Sequence, residues 1–238
     1  MNIIIFGPPG AGKGTQSSYI VKKFNLFQLS TGDLLREEIN KKTDLGNKIS
    51  SIVNSGALVS DEIINRLIEN VVANDKYKNR LIFDGYPRNI TQAENLTKLL
   101  AKYNQKISIV IRLKVSLDII KKRITGRMVC SVCGNTYNEF FNPPKVDAIC
   151  CKDKNLTKRT DDNVEVAVKR YETYEKSTEP VINFYEKLKL VKEVNGEDKI
   201  ESIYNKIDQF LSVIEGWLYI ITPYKYAFKH IPKKLWPE

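Results

Sequence analysis

The sequence predicts an α/β protein: a parallel sheet covered by helices on both faces. Two observations carry this. Predominantly apolar runs at residues 3–6, 80–83 and 107–113 have the character of strands buried on both sides, and segments with helical periodicity alternate with them. Strands alternating with helices mean right-handed crossovers and a parallel sheet. A third observation fixes the type. Gly7 to Thr15 read GPPGAGKGT, directly after the first strand and directly before the first helix, which makes a glycine-rich phosphate loop. Its glycines let the backbone N–H groups turn inward, and the helix that follows adds the positive end of its dipole. Lys13 then reaches the outer phosphates of a nucleoside triphosphate. The fold class is a phosphate-loop nucleoside triphosphate hydrolase-like sheet.

The elements follow in order. Residues 12–23 read as a helix, 26–29 as a short strand, and 31–40 as a helix capped by Ser30 or Thr31. Helical patterns continue at 46–54 and 61–73. The run 80–83 is a buried strand ending at Asp84, 91–103 a helix, 107–113 a strand and 117–125 a helix. The pattern then breaks. Residues 126–160 are polar and bear proline and cysteine, which marks an inserted small lobe. A helical stretch over 161–189 is interrupted by Pro180, and 190–194 is the last strand. Ile200, Ile203, Tyr204, Ile207, Phe210, Leu211 and Ile214 lie at 3.6-residue spacing, with Gly216 as the expected stop.

Bulk composition limits the class. The 238 residues are 42% hydrophobic and 28% charged, ordinary for a globular protein, and no run approaches the ~20 apolar residues of a membrane helix. The first strand begins by residue 3, leaving no room for a targeting peptide, so the expectation is a cytoplasmic protein. A net charge of +10 suits phosphorylated ligands, nucleic acid or an anionic surface. The lone histidine, His230, makes histidine acid–base chemistry improbable.

Two further motifs carry chemistry. Ser30 to Arg36 (STGDLLR) opens a helix at the carboxyl edge of the sheet, where ligands bind; a helix cap plus a surface arginine is the plain alternative. Leu81 to Arg88 (LIFDGYPR) ends a buried strand in Asp84, the position that organises magnesium in phosphate-loop enzymes. Gly85 permits close backbone approach, Pro87 fixes the turn that aims Arg88, and Gln92 has the donor–acceptor pair that matches an adenine edge. One departure narrows the class. Gly14 follows Lys13 where the general phosphate loop has Ser or Thr, and Thr15 stands one place later.

GPPGAGKGT, STGDLLR, DGYPRN with Gln92, and RITGR followed by an inserted lobe together resemble the adenylate kinase family, in its long-lid bacterial form. The resemblance runs in register from residue 2 to about residue 214. It implies ATP + AMP ⇌ 2 ADP with magnesium. ATP would be held by Gly10, Ala11, Gly12, Lys13, Gly14 and Thr15, by Arg123 and Arg127, by Thr136 and Tyr137 from the lid, and by the backbone at Asp198. AMP would be held by Thr31, Arg36, Ala57, Leu58, Val59, Gly85, Tyr86, Pro87, Arg88 and Gln92. Arg159 and Arg170 would close over the phosphates, so that Lys13, Arg88, Arg123, Arg159 and Arg170 carry the catalysis. Asp84, with Asp33, would hold magnesium through water.

The resemblance also implies a division of the chain. Residues 1–216 would be the kinase, with an AMP-binding lobe at 30–59 and a lid at 127–160; the family pattern does not extend over residues 217–238. Ser60 departs from the proline usual in its segment. A monomer is expected, with ATP, AMP and ADP as partners and no nucleic acid. Other readings are a kinase for UMP or CMP, one with GTP as donor, and a nucleic-acid-binding zinc-ribbon protein.

All four cysteines lie between Cys130 and Cys151, a clustering that points to metal, with buried thiols or a disulfide as the alternative. Cys130-x-x-Cys133-Gly134 is a knuckle of the kind that wraps tetrahedral zinc. Cys150 and Asp153 repeat the same step, and relatives have Cys or Asp at the fourth position. The expected ligands are Cys130, Cys133, Cys150 and Asp153, with Cys151 in reserve, holding a structural zinc. In the tail, Trp217, Tyr219, Tyr224, Tyr226, Phe228 and Trp236 interleave with lysines. Such a segment either folds back on the core or contacts an anionic membrane or a partner.

Overall fold

A computed structural model of the chain describes residues 1–55, 59–144, 155–159 and 162–221, the stretch 217–221 as backbone only. The first half runs β1 (Asn2–Phe6), α1 (Lys13–Phe24), β2 (Phe27–Ser30), α2 (Thr31–Asn40), α3 (Asp44–Asn54), α4 (Asp61–Val72), β3 (Leu81–Asp84) and α5 (Ile90–Lys102). It continues with β4 (Ile107–Lys114), α6 (Leu117–Thr125), β5 (Arg127–Cys130), β6 (Thr136–Asn138) and β7 (Leu156–Thr157). Then come α7 (Val164–Thr173), α8 (Glu179–Lys187), β8 (Val191–Asn195) and α9 (Ile200–Ile221).

The expected parallel sheet is present, with strand order β2-β3-β1-β4-β8 and every pair parallel. β1 lies at its centre and is buried throughout, which is why its sequence is apolar without alternation. The two-residue period sends Ile4 and Phe6 to one face and Ile3 and Ile5 to the other. The first pair packs with Leu35 of α2, Ile49 of α3, Ile64 and Ile68 of α4, Leu96 of α5 and Val181 of α8. The second packs with Ile20 of α1, Ile120 of α6, Ala167 of α7 and Ile203 and Ile207 of α9. Each such side chain contributes about 1.5–3 kcal/mol on burial, so both faces are firmly covered. From β1 the chain crosses to β2 at one edge, and from β4 it proceeds to β8 at the other. The connections part between β1 and β4, and a crevice opens there at the strands' carboxyl ends.

The inserted lobe is a separate three-stranded antiparallel sheet, β6-β5-β7. Among its described residues Cys130 has the only buried side chain, while Val132 and Phe140 are more than half exposed. The described part of the lobe thus buries little apolar surface.

The structure differs from the sequence expectation at three places. α3 starts at Asp44 instead of 46, because Thr43 caps it: its Oγ1 accepts from the Gly46 N–H at 3.1 Å. The stretch at 161–189 divides into α7, a π-helical turn (Tyr174–Thr178) and α8, and Pro180 falls in the first turn of α8, where a missing N–H costs nothing. Gly216 does not end the last helix, and α9 continues to Ile221. A glycine costs a helix about 1 kcal/mol relative to alanine, too little to stop one that meets no proline before Pro223.

Candidate active site

One large cleft of about 1010 Å³ lies over the carboxyl ends of the strands. The phosphate loop forms its floor. Gly12, at φ 94°, caps α1 in the left-handed region that glycine alone enters without strain, and so turns the loop into the helix. Lys13 folds back over this loop, its Nζ donating to the carbonyls of Gly7 at 2.7 Å and Pro8 at 3.1 Å. Burial pulls the Lys13 ammonium down to about 8, with Asp84 opposing and Arg88 and Arg127 adding to the fall. A polyphosphate in the loop would supply counter-charge here.

Asp84 ends β3 beside the loop and is buried. Burial pushes its carboxyl up, against the pull of Lys13 and of Gln28, whose Nε2 donates to Oδ2 at 2.9 Å. Asp33 also lines the cleft and is close enough to raise Asp84 further. It is ion-paired with Arg36 one turn along α2. Burial raises Asp33, but that pair and the Ser30 hydroxyl outweigh it and hold the carboxyl below its usual range. The two carboxylates thus face one space, an arrangement that suits a hydrated divalent cation.

The opposite end is built by the loop after β3. Gly85, at φ 77°, lies so close to α2 that a Cβ there would come within 2.9 Å of Thr31 Oγ1. The Thr31 hydroxyl donates to the Gly85 carbonyl at 2.9 Å, and Arg88 Nε donates to the same oxygen at 2.7 Å. The Tyr86–Pro87 peptide is cis. Gln92 is buried, accepts from the Arg88 N–H at 2.7 Å and donates to Asp61 at 2.6 Å. Val59, Leu35 and Ile64 supply apolar wall beside it. Ala57 and Leu58 lie outside the described residues.

Arginines close the ring. Arg127 makes a two-pronged ion pair with the buried carboxylate of Asp162. Burial draws Arg159 down to about 10, with Arg127 and Arg36 adding to the fall. Burial and Arg170 likewise lower Arg88. Arg170, on α7, reaches across to the Val53 carbonyl at the end of α3 at 3.1 Å. Like charges gathered in a partly desolvated cleft repel one another, and a polyanion between them removes that cost.

The cleft collects Gly10 to Thr15, Thr31, Asp33, Arg36, Val59, Asp84 to Arg88, Gln92, Arg123, Arg127, Thr136, Tyr137, Arg159 and Arg170. Two positions have protein partners of their own. Arg123 spends both Nη atoms on backbone, the Ala11 carbonyl at 3.2 Å and the Gly196 carbonyl at 2.8 Å, and its guanidinium lies 5.4 Å over the Phe141 ring. Of the RITGR arginines it is Arg127 whose charge, after that of Arg88, lowers Lys13. Asp198 uses its carboxylate on Asn195 and Lys206, and Ile200 and Ile203 line the cleft at that level. Sequence reasoning missed Gln28, Asp61, Asp162 and Thr178, whose hydroxyl donates to the Arg88 carbonyl at 3.0 Å. Each acts by holding another residue. Only Asp162, beside Arg159 in RTDD, carried a sequence signal.

At the lobe's knuckle Cys130 is buried and Cys133 exposed, with the Gly134 N–H closing the turn onto the Cys130 carbonyl at 2.9 Å. The Ser131 N–H donates to the Asn155 carbonyl at 2.8 Å. Cys150, Cys151 and Asp153 lie outside the described residues.

A family model for adenylate kinase matches residues 5–190. The adenylate kinase of Pelagibacter ubique is 53% identical over 213 residues, 90% of this chain and 100% of the relative. That of Caldanaerobacter subterraneus is 41% identical, covering 89% of this chain and 96% of its own, and that of Bacillus subtilis 39%, covering 89% and 98%.

Proposed function

The chain belongs to the adenylate kinase family, and from that premise we propose how its cleft divides the work. The reaction is reversible transfer of the terminal phosphoryl group of ATP to AMP, giving two ADP, with magnesium accompanying ATP. The observation that carries the division is the convergence of Lys13 and six arginines, from six different segments, on one cleft with Asp84 at its floor. ATP lies with its phosphates in Gly10 to Thr15 and its base toward Arg123, with Thr136, Tyr137 and the backbone near Asp198 beside it. AMP lies between Thr31, Arg36, residues 57–59, Gly85 to Arg88 and Gln92.

Phosphoryl transfer needs alignment and charge neutralisation more than covalent help. Lys13 supports charge on the transferring group, Arg88 and Arg170 hold the acceptor phosphate, and Arg127 and Arg159 approach from the lid. Asp84 and Asp33 fit a hydrated magnesium ion, which neutralises phosphate charge when bound. The division into a kinase over 1–216, an AMP lobe at 30–59 and a lid at 127–160 puts Arg127 and Arg159 on the moving part, so the cationic ring is complete only when water is excluded.

We propose that the lid holds a structural zinc on Cys130, Cys133, Cys150 and Asp153. The poor apolar burial of its described residues supports such a staple. The described knuckle has the turn such a site needs, and the Ser131 N–H donates to the Asn155 carbonyl across it. Zinc is expected at one per chain by elemental analysis of the purified protein. Cys130→Ser should lose it and Cys151→Ser retain it; loss from the Cys151 variant makes Cys151 the ligand in place of Asp153.

A coupled assay tests the activity. AMP with magnesium-ATP should turn over, UMP and CMP should be poor acceptors, and a parallel gel shift should detect no DNA binding; turnover with UMP in preference to AMP would overturn the assignment. Among the described residues no helix is long and apolar enough to cross a membrane. We place the protein in the cytoplasm as a monomer, with the tail outside the catalytic machinery and available to an anionic surface or partner. A chain lacking Trp217–Glu238 should keep its turnover per folded molecule. A folded but inactive truncation would make the tail part of the enzyme.

A further inference from the structure

Gln92 reads a base only if its amide has one orientation. An amide presents a donor at one end and an acceptor at the other, and a flip exchanges them. Two neighbours settle which end is which. The Arg88 backbone N–H can only donate, and it faces Gln92 Oε1 at 2.7 Å. The Asp61 carboxylate can only accept, and it faces Gln92 Nε2 at 2.6 Å. A flipped amide would set N–H against N–H at Arg88 and oxygen against oxygen at Asp61. Asp61 is itself fixed, because Asn89 Nδ2 donates to both its oxygens at 3.1 and 3.2 Å. Asn89 is fixed in turn by accepting from the Gln92 N–H at 2.8 Å while capping α5. Asp61 does not line the cleft; Gln92 does.

We infer that Asp61 is a positioning residue that locks the Gln92 amide so that the acceptor site selects adenine over a base with the inverse donor–acceptor order. The inference rests on the reading of this end of the cleft as the AMP site. With one N–H given to Asp61 and one lone pair given to Arg88, Gln92 retains one N–H and one lone pair for a ligand. Adenine offers their complement on its Watson–Crick edge, with N1 accepting and the 6-amino group donating. Hypoxanthine offers the reverse, a donating N1–H and an accepting 6-oxo group, and matches only the flipped amide. A site built around fixed hydrogen bonds rejects the mismatched base because its buried groups are left unpaired. The lock also crosses elements. Asp61 opens α4 while Gln92 lies in the first turn of α5, so the reader of the base is oriented from the segment that follows the AMP lobe.

The experiment compares kcat/KM for AMP and for inosine monophosphate, at saturating magnesium-ATP, in the full-length protein and in D61A, D61N and Q92A. In D61A the AMP-to-IMP preference should fall about tenfold, the value of one hydrogen bond to a charged group. D61N keeps one carbonyl for Gln92 but turns an N–H₂ toward Asn89, so its loss should be intermediate. KM for ATP should stay near the native value in both. A merely structural role for Asp61 lowers AMP and IMP turnover in parallel and leaves their ratio unchanged, and that result overturns the inference. A ratio that falls in Q92A but not in D61A or D61N overturns it equally. Should Q92A leave the ratio at the native value, Gln92 does not read the base, and the reading of the acceptor site fails along with the lock.

Discussion

Replacing Lys13 by alanine is expected to lower phosphoryl transfer about 10³-fold while leaving the protein folded. The side chain carries the only ammonium seated in the phosphate loop among the described residues, and it is held by two loop carbonyls. Those bonds are a resting arrangement; phosphate oxygens are the stronger partners, because the bond to them is charge-assisted. The sign of the stability effect is clear. Burial lowers Lys13 from an ordinary value near 10.5 to about 8, so the unfolded chain binds more protons between those values and stability rises with pH across that window. Deleting the group therefore removes a strained charge at neutral pH, and the melting temperature should not fall. Binding follows the opposite slope: above pH 8 the empty site loses its ammonium, so ATP affinity should decline there in the native protein and much less in Lys13→Ala. Single-turnover kinetics and thermal melts of the variant, with ATP titrations from pH 7 to 9, check all three. A folded variant with near-native transfer would remove Lys13 from the mechanism.

The groups that touch phosphate were legible in the sequence because their chemistry needs a fixed backbone shape. A loop that must present N–H groups needs glycines such as Gly12, and a buried central strand must be apolar from Ile3 to Phe6. Both leave contiguous signals. The groups that hold the first set in place left almost none. Gln28 reaches Asp84 across 56 positions and Asp162 reaches Arg127 across 35, and neither local periodicity nor spacing encodes such pairs. The π-helical turn was equally hidden. Pro180 announced an interruption, but the widened turn falls just before it and brings Thr178 onto the Arg88 carbonyl. Such turns are frequent at functional sites because they offset the helix face that follows. Arg123 shows the limit of a motif from the other side. RITGR locates two arginines four residues apart, but only three-dimensional packing shows that Arg123 is tied to Ala11 and Gly196 while the charge of Arg127 acts on Lys13.

Replacing Arg88 by alanine should raise the KM for AMP about 100-fold and leave ATP affinity close to native. The backbone of Arg88 is pinned on both sides, its N–H to Gln92 and its carbonyl by Thr178, and its Nε is tied to the Gly85 carbonyl. The guanidinium is thus preorganised within the cleft, and Arg170 faces it there as a second cation. An acceptor phosphate between them gains charge-assisted bonds from a rigid fork, worth about 1.5–3 kcal/mol each, and the upper part of that range corresponds to about 100-fold. Stability should change little, because the lost Gly85 bond is offset by relief of the repulsion between Arg88 and Arg170. Lysine at this position keeps the charge but not the fork, so Arg88→Lys should recover only part of the loss. Calorimetric titrations of AMP and ATP, made separately on Arg88→Ala, decide the matter. If both affinities fall by the same factor, Arg88 serves the cleft as a whole and the division into donor and acceptor ends is wrong; if AMP alone weakens, the acceptor phosphate sits where Gly85, Thr178 and Arg170 aim this guanidinium.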